Sequence, residues 1–436
     1  MRPWTALWFK FPLSNSSTDF MRKDDRMSGI AAKWAMRLIS VVFLFVLSVS
    51  FASQSFAFDE TLSSIQQAIE SKGADWVAGE TSVSKMEPEE RRKLLGLIKP
   101  DPMDAEAMAA VDESLTSLET ALPSKLDWRS YNGKKYVTPV RNQSSCGSCW
   151  AFAATGAAES KFLMELNSPN TNRDLAEQIL VSCSGAGGCG GGYHSYASDY
   201  LQDVGLPVES CFPYSATDED CGGACANWKS YTYNIKGWLW ATYTSPTVNA
   251  LKSALNTYGP LVTTMDVYAD FYSYTSGIYS YVSGAYQGGH AILLVGYNDE
   301  TQCFIAKNSW GTGWGENGYF RVAYSQLSNA VEFGYYTIAY KGAMPAGDSS
   351  CGYVLSSSAA NVAYSGGSKS LKVWARGTCA WTAVSNASWI TITAGNTGPG
   401  NKTVQYKVAA NGTTQSRTGT LTIAGKTYMV KQAARP

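Results

Sequence analysis

Gln143-Ser-Ser-Cys146-Gly-Ser-Cys149-Trp150-Ala-Phe152 is the stretch from which the rest of the chain is read. It opens an alanine-rich run, Cys149–Leu166, whose apolar residues include Phe152, Phe162, Leu163 and Leu166, and this predicts a helix that begins at Cys149. A thiolate at a helix start faces the free N–H groups of the first turn and the positive end of the helix dipole. The Cys149 thiol is therefore expected to have a lowered pKa and to serve as a nucleophile. A nucleophile of this kind needs a base, and the chain holds two histidines, His194 and His290. His290 follows two glycines and opens the strand-like run His290–Tyr297, whereas His194 follows Gly190-Gly-Gly-Tyr193 and reads as a loop residue. His290 is the expected base. Asn308, in Lys307-Asn308-Ser309-Trp310-Gly311, lies one hairpin further on. Its amide oxygen is placed to accept the proton of the far ring nitrogen, with Trp310 covering that bond from water. Gln143 precedes Cys149 closely, and its amide N–H₂ with the Cys149 backbone N–H would make an oxyanion hole.

The ten cysteines all follow residue 121. Taken alone, Cys146-x-x-Cys149 also fits a redox pair and Cys221-x3-Cys225 half of a zinc site. Both readings weaken in an exported chain whose histidines are needed elsewhere, and two histidines exclude a multi-histidine metal centre. No metal and no cofactor are expected. Export is read from Lys33 and Arg37 ahead of the apolar run Leu38–Val49, followed by Ser55-Phe56-Ala57, the order of a secretory signal peptide. The run is about a dozen residues, short of the ~20 needed to span a bilayer, so no stable membrane span is expected after its removal. A retained anchor is the alternative, and Met27 or Met36 is a candidate start. The expected location is secreted or periplasmic. An exported chain with this cysteine density is expected to hold disulfides.

The 436 residues carry 35 basic and 35 acidic side chains, and this balance argues against a nucleic-acid binder. The charge is distributed unevenly. Residues 58–121 sum to −8, residues 122–342 to −4 and residues 343–436 to +8. Residues 1–57 form the leader. Residues 58–121 show helical spacing at Leu62, Ile65 and Ile69 and a second candidate helix over Glu89–Ile98 after Pro88. They have too few apolar residues for a core of their own, so the segment is a linker or a pro-segment that folds on a neighbour. Residues 122–342 put helical patterns first, including a capped helix opened by Asp174-Leu175-Ala176-Glu177. Strand patterns follow at His290–Tyr297, Cys303–Asn308 and Tyr319–Ala323. This is an α+β domain with a helical lobe beside an antiparallel β lobe. Residues 343–350 read as a linker. Residues 351–436 contain short alternating runs at Leu371–Ala375, Trp389–Thr393, Thr403–Val408, Thr420–Ile423 and Thr427–Val430, with turns such as Gly395-Asn396-Thr397-Gly398 between them. They read as a small all-β sandwich stapled by Cys351–Cys379.

Four separated pieces now agree in order: Gln143 with Cys146-Gly-Ser-Cys149-Trp150, Cys189-Gly-Gly-Gly192-Tyr193, Gly289-His290-Ala291, and Asn308-Ser-Trp-Gly-Thr-Gly-Trp-Gly-Glu-Asn-Gly-Tyr319. Together they resemble the papain/cathepsin family of cysteine peptidases. The resemblance implies a papain-like two-lobed fold and an endopeptidase acting on proteins or peptides, with Cys149 as nucleophile, His290 as general acid and base, Asn308 as orienter and Gln143 as oxyanion donor. It implies substrate contacts at Gly191, Gly192, Tyr193, Gly289, Thr264, Ile338 and Trp314, with Trp310 in support. It also implies the pairs Cys146–Cys189 and Cys183–Cys221. Cys211 and Cys225 remain as a further pair, with exchange among these last four left open. Trp76-Val-Ala-Gly79 followed by Lys93-Leu94-Leu95-Gly96 is similar to the short propeptide of cathepsin B-like enzymes. Cys379-Ala-Trp381 through Ile392, with Arg417-Thr-Gly-Thr-Leu-Thr-Ile-Ala424, resembles the BACON-like, immunoglobulin-type β modules of bacterial exported proteins. An anionic glycan or cell-envelope polymer is a candidate ligand there, and a passive spacer is the alternative. The rival for the whole chain is an inert papain-like surface-binding protein or adhesin.

Overall fold

The structure, a computed structural model, describes residues 61–100, 122–344, 351, 353–355, 358–375 and 379–436. The leader lies outside the described residues, and so do positions 101–121 and 345–350.

The first described segment folds on the domain that follows it. Helix α1 (Leu62–Lys72) starts where Thr61 Oγ1 accepts the Ser64 N–H and ends at Gly73, whose φ of 61° suits glycine. Strand β1 (Trp76–Ala78) follows, and then a short α2 (Pro88–Arg92) with proline in its first turn. The expected helix over Glu89–Ile98 therefore stops at Arg92. Beyond Leu94 the backbone bonds to distant chain instead of to itself. The Leu97 N–H donates to Gly289 O (3.2 Å), the Ile98 N–H to Gly192 O (3.0 Å) and the Gly192 N–H to Gly96 O (2.8 Å). Ile65, Trp76, Ala78, Val83 and Leu94 are buried in the core of the neighbouring β lobe, which answers the shortage of apolar residues within the segment itself.

After β2 (Lys125–Asp127) comes the central helix α3 (Cys149–Glu165), buried on every side as far as Leu163. A helix without a polar face must lie inside a domain, and small alanines let neighbours approach it closely. Helix α4 (Glu177–Cys183) and helix α5 (His194–Asp203) pack around α3 to complete the helical lobe. Asp174 is not the cap of α4. Ala176 holds that position without a side-chain bond, and Asp174 pairs with Arg141.

The β lobe was only partly visible as three strand patterns. It contains β3 (Trp238–Trp240), helix α6 (Val248–Tyr258), β4 (Leu261–Tyr268), β5 (Tyr274–Tyr279), β6 (Tyr286–Asn298), β7 (Cys303–Lys307), β8 (Tyr319–Ala323) and β9 (Tyr335–Tyr340). The nine-stranded sheet runs β1-β5-β8-β7-β6-β4-β9-β3, with β2 also on β6. All pairs are antiparallel except β5 with β8. The segment before residue 100 thus contributes the edge strand β1, and Trp76 packs between Tyr274 and Tyr279.

The chain then returns to the body before leaving it. Ala343 and Met344, expected in the linker, are buried and pair with Asn234–Ile235. The C-terminal module is a sandwich of a four-stranded and a five-stranded sheet around Leu371, Trp381, Val404, Tyr406, Leu421, Ile423 and Tyr428. Thr397–Pro399, read as part of a turn, is a short strand on Ala380–Thr382. The module rests on α5, where Gln202 Nε2 donates to Ala375 O (3.1 Å), and on Lys341, whose Nζ donates to Leu355 O (3.3 Å). Disulfides join Cys146 to Cys189, Cys183 to Cys221, Cys211 to Cys225 and Cys351 to Cys379, while Cys149 and Cys303 are free and buried.

Candidate active site

The site lies where the start of α3 meets β6. Ser148, just before the helix, leaves the first-turn N–H groups uncapped because its hydroxyl is engaged by the Tyr214 hydroxyl (2.6 Å). Cys149 Sγ accepts the Ala291 N–H at 3.5 Å, so the thiol lies against the strand that carries His290. His290 Nε2 meets Asn308 Oδ1 at 2.8 Å, and the same oxygen accepts the Ser309 N–H (2.8 Å). Trp310 lies over the imidazole at 4.8 Å between ring centroids. His290 Nδ1 is buried without a hydrogen-bond partner among the described residues. Gln143 is fixed by the Ser309 hydroxyl on its Oε1 (2.6 Å), and its Nε2 donates to Cys146 O (2.7 Å) and Leu94 O (3.0 Å). Cys149, His290, Asn308, Gln143 and Trp310 are thus brought into one cluster.

The cleft is filled by the segment before residue 100. Leu94 O lies on the Gln143 amide, Gly96 passes the thiol, and Leu97 enters the apolar cluster that holds Cys149, Val262, Tyr336 and Ile338. Gly289 touches Leu97, and Gly191 touches Ile98 and Gly96. Gly191, Gly192 and Gly289 line the path of this extended chain, and Ile338 belongs to the apolar cluster that Leu97 enters. Thr264 is buried on β4 opposite Ala291, with its hydroxyl donated to Tyr335 O (2.9 Å). Tyr193 is half-buried, its ring tilted against that of Tyr196 at 4.9 Å between centroids. Trp314 does not line the cleft. It is wholly buried among Phe271, Tyr274, Trp310 and Phe320, and so stands behind Trp310 as core. Val262 and Tyr336 share the cluster that Leu97 enters, and they were missed because strand order, not the local sequence, brings them into it. His194 is not a loop residue. It opens α5, is fully buried, and its Nε2 bonds Tyr336 O at 2.8 Å.

Electrostatics in this covered state oppose the sequence expectation. Burial pushes the Cys149 thiol above its ordinary value, although the N–H groups of Ala291, Gly96 and Trp150 act to lower it. Burial likewise brings His290 down to about 4, against the pull of Asn308. The uncapped helix start is outweighed because both groups are fully buried in this covered state. The thiol and the imidazole are neutral at pH 7.

His194, also brought down to about 4 by burial, gives a pH prediction. A lowered histidine contributes stability that is fully present above 6.5 and is lost as pH falls through about 4. Glu209, raised by burial to about 7, acts oppositely: its contribution is full below 4.5 and is lost as pH rises through about 7. Because the raised carboxyls offset the histidines between pH 6.5 and 4, the expected signature is a difference between proteins: over this window the urea midpoint falls less, or rises more, on acidification for His194→Gln, which keeps a donor for Tyr336 O but takes up no proton. Equal slopes for the two proteins would remove His194 from the account.

The family model described as papain family cysteine protease matches residues 122–339, half of the chain, and the one described as viral BACON domain matches residues 354–434. The chain belongs to the papain family of cysteine proteases. It is 39% identical over 209 residues to a cathepsin L-like proteinase of Fasciola hepatica, covering 47% of this chain and 61% of that one. With digestive cysteine proteinase 1 of Homarus americanus the figures are 34% over 242 residues, 53% and 69%. The chain thus spans 61% of the length of the Fasciola hepatica relative and 61% of the cathepsin L2 of Homo sapiens. Among solved structures, digestive procathepsin L2 proteinase from Tenebrio molitor larval midgut is similar with a TM-score of 0.54 at 28% identity, over 65% of this chain and 89% of that one.

Proposed function

We propose that the chain is an exported cysteine endopeptidase made as a latent precursor. The observation that carries this reading is the free Cys149 at the start of α3, against the strand bearing the His290–Asn308 pair. In the uncovered enzyme Cys149 gives its proton to His290 and its sulfur attacks the scissile carbonyl. The developing oxyanion is held by Gln143 Nε2 and the Cys149 N–H. His290, kept in orientation by Asn308 beneath Trp310, returns the proton to the leaving amine, and water then releases the acid from the thioester. Residues 1–57 act as the leader and residues 58–121 as the inhibitory pro-segment. Residues 122–344 are the catalytic body, and the C-terminal module follows.

The pro-segment resists cleavage through its polarity. Leu97 enters the apolar pocket from the C-terminal side of the residue at the thiol. A substrate whose pocket residue precedes the residue at the cut must run the other way. The pocket around Ile338, Val262 and Tyr336 is apolar, so a charge placed there would lose hydration without a partner. A peptide-library profile of the matured enzyme, with Cys149→Ala as control, is expected to show an apolar residue two before the cut. A profile led by Asp or Arg at that position, or cleavage by the control, would refute the reading.

The module, residues 351–436, carries nine basic and no acidic side chains, and an anionic glycan or envelope polymer is its proposed ligand. Pull-down of the full chain on acidic polysaccharide should succeed at low salt and fail at high salt. A chain ending at residue 344 should not be retained. Equal retention of the two proteins would reduce the module to a spacer.

A further inference from the structure

Lys99 of the pro-segment leaves the cleft in the grip of two carboxylates. Its Nζ is 2.8 Å from Asp266 Oδ2 and 2.7 Å from Glu332 Oε2. The two acids are far apart in sequence, and the fold sets them side by side: the Asp266 N–H donates to Val331 O (2.7 Å), which ties the loop carrying Glu332 to β4. Glu332 itself is held at a φ of 47°, in the left-handed region that non-glycine residues seldom adopt. Asp266 is 8% exposed, and its second oxygen, Oδ1, is buried with no hydrogen-bond partner among the described residues. An acidic group so placed has capacity for a further donor and a reason to receive one.

The strand pleat points this pair at the cleft. On β4, Val262, Thr264 and Asp266 share one face, since alternate residues do. Val262 belongs to the apolar cluster that holds Leu97, while Met265 and Val267 face the core of the β lobe. Asp266 lies opposite Gly289, whose carbonyl receives the Leu97 N–H. The pro-segment shows the same alternation: Leu97 on this wall, Ile98 against Gly191 on the other, and Lys99 back on this wall. A chain extended through the cleft therefore brings the second residue beyond the pocket to the two carboxylates.

We propose that Asp266 and Glu332 form a cation-selective subsite that receives a lysine or arginine side chain of the substrate, two residues beyond the one in the apolar pocket. This rests on the peptidase reading above, in which the substrate runs opposite to the pro-segment, so the basic residue stands four before the cut. Loss of the pro-segment removes Lys99 and leaves two carboxylates facing each other without a cation. A substrate ammonium or guanidinium restores the pairing, and a guanidinium has donors enough to reach the free Asp266 Oδ1 as well.

The test uses matured enzyme and three peptides that differ only at that position, carrying Lys, Gln or Glu, with leucine two before the cut. kcat/KM for the Lys peptide is expected to exceed that for Gln by about tenfold, the scale of a half-buried charge-assisted pair, with Glu lowest. The Asp266→Asn/Glu332→Gln variant should bring the Lys-to-Gln ratio to near one. Binding of the same peptides to Cys149→Ala protein, matured by added wild-type enzyme, is read alongside by calorimetry. Hydrolysis with equal rates for Lys and Gln overturns the subsite and leaves the peptidase intact. Charge-selective binding without hydrolysis by the wild type supports the subsite and overturns the peptidase reading.

Discussion

Cys149→Ala is expected to lower kcat/KM of the matured enzyme by on the order of 10⁶-fold, the scale on which nucleophile–base pairs fail when one member is removed. The sulfur is the only free thiol beside the imidazole. The other free cysteine, Cys303, lies at the start of β7, bonded to Thr301. His290→Ala should cost a similar factor, and the double variant little more than either alone, because the two groups act as one unit. Gln143→Ala should cost less, about 10²–10³-fold, the range of a single oxyanion donor. Initial rates on one fluorogenic peptide, with variants confirmed folded by circular dichroism, decide the matter. A Cys149→Ala protein that still hydrolyses peptide through its own site would overturn the mechanism, and costs that add in the double variant would separate the two groups.

Gly96→Ala is expected to end the latency of the precursor. A Cβ on Gly96 would stand 1.8 Å from Gly147 O and 2.4 Å from the Gly147 carbonyl carbon. Both are backbone atoms, and Gly147 has no room to retreat. Its N–H is bonded to Cys189 O at 2.8 Å, and its neighbour Cys146 is tied to Cys189 by a disulfide. The added methyl must therefore lift the pro-segment off the thiol, at an overpacking cost equivalent to on the order of 10²-fold in occupancy. The readout is the rate at which an epoxide alkylates Cys149 in uncut chains. Wild-type precursor should react slowly, because its thiol is covered and neutral, and Gly96→Ala about 10²-fold faster. Equal rates would mean that Gly96 does not pass the thiol in solution.

The catalytic cluster was legible because each member sits in a short run with its own local logic: a cysteine opening an alanine-rich helix, a histidine opening an apolar strand, an asparagine one hairpin on. The module was legible for the same reason, as alternation within a strand needs no knowledge of its neighbours. The path of Leu94–Ile98 was not legible. Those leucines and the isoleucine mimic a helical face, and what straightens them is a set of hydrogen bonds to Gly192 and Gly289. Asp174 had the form of a cap, but its carboxylate pairs with Arg141 and Ala176 takes the capping position. Trp314 and Trp310 share one motif, and only packing distinguishes the ring over His290 from the one behind it. Asp266 and Glu332 carry no mutual signal in the sequence, since a β-strand and a distant loop bring them together.

If the segment before residue 100 is removed as proposed, strand β1 leaves with it, and that loss has a colloidal side. While it is present, Trp76 and Val77 pair with Gly277 and Ser276, the Gly79 N–H reaches Ser273 O, and the Trp76 indole fills the slot between Tyr274 and Tyr279. Once it is gone, β5 becomes a bare sheet margin with unpaired N–H and C=O groups beside an aromatic hollow, the kind of border that invites a second molecule to dock edge to edge. On the proposed reading, activation would trade a covered sheet edge for an open one, and the matured form is expected to self-associate more readily than the uncut chain as concentration rises.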